Sequence, residues 1–134
     1  MSRLALGTVQ FGLDYGIANQ EGQVDQIIAN KILQVARVNN IDTLDTAIAY
    51  GESETCLGKI GTHDLKIVTK IPAFPKDCDQ VYDWVQEQVN ESLTRLGVDS
   101  VYGLLLHRSS QLLEKDGKTL FRSLQKLKAT GQVQ

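Results

Sequence analysis

Four short apolar runs in this chain, residues 4–8, 43–46, 65–70 and 101–107, end in side chains able to do chemistry: Thr8, Asp45, Lys70 and His107. Tyr50 follows Asp45 by five positions. Brought to one place, these groups would form a proton-delivery set. An aspartate holds a buried lysine charged, and a lysine cation draws a phenol's pKa down from ~10, so that the phenol can give up a proton near neutrality. An imidazole alongside can hydrogen-bond the reacting oxygen. The chemistry that needs such a set is reduction of a carbonyl to an alcohol.

The elements that must position these residues follow from the spacing of apolar side chains. The four runs read as short buried strands. Between the first two, Val24, Ile28, Ile32 and Val35 recur at intervals of three and four, flanked by Ile27 and Leu33, and predict a helix stopping at Asn39-Asn40. Residues 53–60 form a short helix closed by Gly61, a left-handed cap. Val81, Val85, Val89, Leu93 and Leu96 make the clearest stripe, with Trp84 widening it, Asp77 and Gln80 at capping-box spacing, and Gly97 after the end. Leu120, Phe121, Leu124 and Leu127 mark a last helix before Gly131.

The order is thus β-α repeated four times, with no linker-like segment. Strands separated by helices of this length lie parallel, with both sheet faces covered. A doubly wound sheet and a (β/α) barrel both satisfy the pattern. No GxGxxG turn follows the first strand and no GxxxxGK[ST] loop occurs, which favours an α/β fold of the parallel (β/α) barrel, TIM-barrel type. The active site of such a barrel is built at the carboxyl ends of its strands, where Thr8, Asp45, Lys70 and His107 stand.

Composition narrows the function. The 134 residues hold 14 Lys plus Arg against 16 Asp plus Glu, a net charge of −2 without a concentrated basic face, which argues against a nucleic-acid partner. No apolar run approaches the ~18 residues of a membrane span, and the few apolar residues after Met1-Ser2-Arg3 are too short a stretch for a signal peptide, so a cytoplasmic location is expected. Cys56 and Cys78 match neither a CxxC pair nor a disulfide framework, and His63 and His107 stand 44 positions apart. Reduced thiols and no metal site are expected.

Taken in order, Leu6-Gly7-Thr8 with Phe11-Gly12, Asp45-Thr46-Ala47 with Tyr50-Gly51, Glu54 and Leu57-Gly58, Val68-Thr69-Lys70, Ser92-Leu93 to Leu96-Gly97-Val98-Asp99, and Leu105-Leu106-His107-Arg108 resemble the aldo/keto reductases. The resemblance covers essentially the whole chain. It implies that Tyr50 is the general acid, that Lys70 and Asp45 tune it, and that His107 orients the carbonyl. It also implies hydride transfer from a nicotinamide cofactor, NADPH with NADH as the alternative, with cofactor contacts at Gly7, Thr8 and Asp45. A complete barrel of this type takes ~250 residues. Residues 1–134 are therefore expected to supply its N-terminal half, about the first four β/α units and no second domain, with Gly131-Gln132-Val133 approaching a fifth strand.

Each residue also has a plainer reading when taken singly. Asp45-Thr46-Ala47 is a common helix-cap sequence, Lys70 a surface charge, His107 a core histidine. Trp84 and Phe121 fall on helical stripes and are expected in the core. Tyr15 is either a loop anchor or part of a substrate wall, and Arg108 is expected to pair with a surface acid. Cys56 lacks a nearby base and is not expected to act as a nucleophile. Two functions result: a reductase acting on a small carbonyl substrate, and a non-catalytic binding or assembly module that keeps the half-barrel. The two strand edges predict either a homo-oligomer, with the first strand of one copy beside the fourth of another, or a complementing C-terminal half.

Overall fold

The computed structural model describes residues 3–76 and 78–134. Four parallel strands, β1 (Leu6–Gly7), β2 (Thr43–Asp45), β3 (Lys66–Ile71) and β4 (Gly103–Leu106), lie side by side in the order in which the chain makes them. Helices α1 (Gln26–Val38), α2 (Ser53–Ile60) and α3 (Val81–Leu96) connect them, and α4 (Gly117–Ala129) follows β4. A doubly wound sheet reverses its strand order at a switch point. This sheet does not, and its helices pack in the same succession, α1 on α2, α2 on α3, α3 on α4. The fold is part of a TIM barrel.

Alternation along β3 sets its two faces. Ile67, Thr69 and Ile71 are buried towards the helices, whereas Lys66, Val68 and Lys70 lie on the inner face. Register carries that face across the sheet: Gly7 stands opposite Asp45, Asp45 opposite Val68, and Val68 opposite Gly103. One step on, Lys70 stands opposite Leu105. The inner face is open, and Leu105 is 48% exposed.

β1, β2 and β4 are shorter than their apolar runs, and β3 has the same length shifted by one residue. Leu4 is exposed two residues before β1, and β3 continues one residue past Lys70, where Ile71 pairs with Leu106. The polar residues beyond the ladders keep backbone hooks to the next strand. Thr8 N donates to Asp45 O at 3.0 Å, Thr46 N to Val68 O at 2.9 Å and His107 N to Ile71 O at 3.0 Å. At the foot of β4, Val101 and Val133 form a parallel bridge. The bridge lies on the β4 edge, the one that a second copy's β1 was expected to take.

Every residue of the α3 stripe is buried, and Gly97 caps the helix in the left-handed region at φ 67°. Gln80 makes no side-chain cap bond, and Asp77, its expected capping-box partner, lies outside the described residues. Gly61 closes α2 with φ 87°, but its ψ of 124° is not that of a left-handed helical cap.

Two expectations about helical faces need correction. In α1 the buried residues are Ala29, Leu33 and Ala36, while Ile28 and Val35 are exposed and Val24 precedes the helix, whose N-cap is Asp25. The buried face of α1 thus carries two alanines and one leucine. The bulkier stripe instead lines an apolar groove of about 340 Å³ beside the free edge of β1, with Leu6 and Ile41. In α4, Leu120 and Leu127 are buried, but Phe121 is 52% exposed, because the helix turns that side away from α3.

Candidate active site

The site is organised around one ammonium group. Lys70 Nζ donates to a carboxylate oxygen of Asp45, to Thr46 O at 3.0 Å and to Tyr50 Oη at 3.3 Å, which accounts for all three of its protons. The nitrogen also lies 4.9 Å from the centroid of the Tyr50 ring. Burial by itself lowers the pKa of this lysine, but the hydrogen bonds and charge interactions with Asp45 and Tyr50 outweigh it and hold the pKa above the ordinary value. Lys70 is therefore a cation at neutral pH. A cation so placed can stabilise negative charge on an oxygen beside it.

Tyr50 is placed by a turn that two glycines make possible. Tyr50 N donates to Ala47 O at 3.0 Å, and Ser53 N to Tyr50 O at 3.1 Å. Gly51 has φ 54°, and a Cβ at Gly12 would fall 1.8 Å from Tyr50 O. The loop after β1 and the loop after β2 thus meet backbone to backbone, at a distance no other residue allows.

Beneath the turn runs a chain of hydroxyl groups. Thr46 Oγ1 and Ser53 Oγ are 3.1 Å apart, Ser53 Oγ donates to Thr8 O at 2.9 Å, and Thr8 Oγ1 donates to Asp45 O at 3.1 Å. All three residues are fully buried. Next along α2, the buried Glu54 accepts from Thr69 at 2.7 Å, Ser92 at 2.6 Å and Arg95 Nε at 2.9 Å, tying α2 to β3 and α3. These supports escaped the reading of the sequence. The available signal was an acid, Glu54, on the apolar face that Cys56 and Leu57 share.

His107 is exposed just past β4, its ring edge-on to Tyr50 with centroids 5.9 Å apart and planes at 87°. The fold therefore gathers Asp45, Tyr50, Lys70 and His107 at one end of the sheet. The other two named positions differ from each other. A Cβ at Gly7 would meet nothing within 4 Å, so the space above β1 beside Asp45 is open. Thr8 is wholly buried, and its hydroxyl holds Asp45 from beneath.

Around the cluster, Tyr15 anchors its loop through its carbonyl, which accepts from Gln10 and Asn19, while the residue is 58% exposed. Arg108 pairs with Glu114 at 2.8 Å. Cys56 is buried, and burial pushes its thiol pKa up, away from nucleophilic reactivity. Among the described residues no helix is long and apolar enough to cross a membrane.

A parallel β/α arc that carries an aspartate, lysine, tyrosine and histidine cluster at its strand ends defines a class of barrel enzymes. The model of the aldo/keto reductase family matches residues 3–134, and the chain belongs to that family. No curated protein matches it in sequence. Among solved structures, one described as a "putative aldo-keto reductase" from Pseudomonas aeruginosa is 32% identical, with a TM-score of 0.81 over 98% of this chain and 53% of its own. A second structure with the same description and organism is 30% identical, with a TM-score of 0.79 over 98% of this chain and 52% of its own. The chain spans about half the length of these relatives.

Proposed function

We propose that the chain carries the proton-delivery half of a reductase that converts an aldehyde or ketone to an alcohol. The observation that supports this most directly is Lys70, whose three protons go to Asp45, the Thr46 carbonyl and the Tyr50 hydroxyl. Tyr50 gives its proton to the carbonyl oxygen. Lys70 offsets the charge left on the phenol oxygen, and Asp45 keeps the ammonium charged and in place. His107, across the ring from Tyr50, donates a hydrogen bond to the same carbonyl oxygen and turns its carbon towards β1.

The open space at Gly7, next to the half-exposed Asp45 carboxylate, fits a flat nicotinamide ring laid against the strand backbone. Gly7 and Asp45 would hold that ring, with Thr8 fixing Asp45 from below. When bound, NADPH, or NADH as the alternative, supplies the hydride that the carbonyl carbon accepts. The chain is read as one domain, the first four β/α units of the barrel. A cytoplasmic location accords with this chemistry and with two unpaired thiols, Cys56 and Cys78.

The test mixes NADPH with the purified chain and follows nicotinamide fluorescence, then follows NADPH oxidation on adding an aromatic aldehyde. Quenching followed by aldehyde-dependent oxidation supports the reductase. Neither signal would leave a non-catalytic binding or assembly module.

A further inference from the structure

The turn after His107 contains a buried amide that the chemistry above does not use. Gln111, 2% exposed, lies in the 3₁₀ turn Ser109–Leu113. Its amide nitrogen donates to Phe74 O at 3.0 Å, and its amide oxygen accepts from Phe74 N at 3.1 Å. A neighbouring strand would satisfy a backbone residue in the same double manner. The last rung between β3 and β4 is His107 N to Ile71 O at 3.0 Å, and Gln111 adds one more after both strands have ended. Phe74 is immobilised from its other side as well, its buried ring packing on Trp84 with centroids 6.4 Å apart.

The segments joined in this way are the one leaving Lys70 and the one leaving His107. Apart from the amide, the turn's polar ties are local: Gln111 N to Arg108 O at 3.2 Å, Glu114 N to Gln111 O at 3.2 Å, and the exposed Arg108–Glu114 pair. We infer that Gln111 is a positioning residue that holds the His107 ring against Tyr50 by clamping the segment after β4 to the segment after β3. Its relevance to catalysis rests on the reductase reading. The placement of the ring is observable without it.

The chain has two histidines, and His63 stands before β3, at the end of that strand opposite Lys70, so it serves as an internal control for NMR of the imidazole rings. In the unaltered chain a through-space signal connects the His107 and Tyr50 rings. Gln111→Ala abolishes that signal and leaves His63 unmoved; its persistence overturns the proposal. Gln111→Glu separates the clamp from general packing. An ionised carboxylate can accept from Phe74 N–H but repels Phe74 C=O, whereas a protonated carboxyl restores both bonds. Burial raises a carboxyl pKa, to as high as about 8–9, so the ring signal is present at about pH 5 and absent at about pH 9.5, with the unaltered chain as control at both.

A folded Gln111→Glu chain whose signal fails to return on acidification overturns the clamp. So does a Gln111→Glu chain unfolded at both values, since the amide then supports the whole fold rather than one ring. If the ring signal behaves as stated in a chain that neither binds NADPH nor reduces aldehydes, the clamp stands and the reductase reading falls.

Discussion

His107 approaches Tyr50 edge-on, ring centroids 5.9 Å apart, while Lys70 reaches the phenol oxygen at 3.3 Å. The end of β4 and the loop after β2 thus converge from different β/α units. On the proposed reductase reading, a carbonyl oxygen placed between them meets the imidazole and the phenol at once.

Replacing Tyr50 by Phe removes one hydroxyl and leaves the ring contact with His107 intact. The rate of aldehyde reduction is expected to fall by about 10²–10⁴, the range for loss of a general acid. NADPH affinity, read by fluorescence quenching, should change little. Near-normal turnover in the variant would show that another group donates the proton.

Lys70→Met and Asp45→Asn are expected to impair reduction individually, with the double variant losing much less than the two losses together, since each residue acts through the other. Additive losses in activation free energy would contradict the pairing. The same lysine gives a pH dependence. Its pKa in the folded chain lies above that of the unfolded chain, so its stabilisation is complete below about pH 10.4 and is lost as the pH rises through the folded value. Urea unfolding of the parent and Lys70→Met chains should therefore converge in strong alkali.

Glu54→Gln keeps the shape of the side chain and removes the charge that Arg95 meets at 2.9 Å. Breaking a buried pair by changing one partner costs about 3–5 kcal/mol, and Arg95, with 30% of its side chain exposed, places this case at the lower end. Changing Arg95 to Met in the same chain should restore part of the loss. The midpoints of urea unfolding for these two variants and the parent chain decide the point; equal midpoints for Glu54→Gln and the parent chain would mean that the pair contributes nothing.

At the opposite end of the sheet, Arg37 grips Asp64 with bonds of 2.7 and 2.8 Å. The hydrogen bonds from Arg37 hold the Asp64 carboxyl below its ordinary pKa. Its contribution is present above the unfolded carboxylate value of about 3.9 and disappears as the pH falls through the lower folded value. For a pair this exposed, Asp64→Asn should cost no more than about 1 kcal/mol at pH 7 and nothing in strong acid. A loss of the same size at both pH values would assign the effect to packing rather than charge.

The convergence of the candidate site residues was legible in the sequence because strand ends are. Once four runs are read as parallel strands, Asp45, Lys70 and His107 must share one end, and Tyr50 is too close to Asp45 to leave it. The α3 stripe was legible for a similar reason, since a single face of that helix is apolar. Helix α1 offers the sheet a choice of faces, and periodicity weights large side chains over the small alanines that make the contact. The pairings of Glu54 with Ser92 and of Gln111 with Phe74 were illegible because the partners lie 38 and 37 positions apart. No local spacing encodes such a pairing.

The sheet order also bears on how the molecule comes into being. Each strand docks on the strand made just before it, and each helix on the preceding helix. Among the four described strands none waits for a partner encoded much later, so within this arc the entropy of closing long loops is met in small instalments. A ribosome releasing this chain from its N-terminus would deliver β/α units in the order in which they can assemble, and Asp45, Lys70 and His107 would join the cluster in that same order.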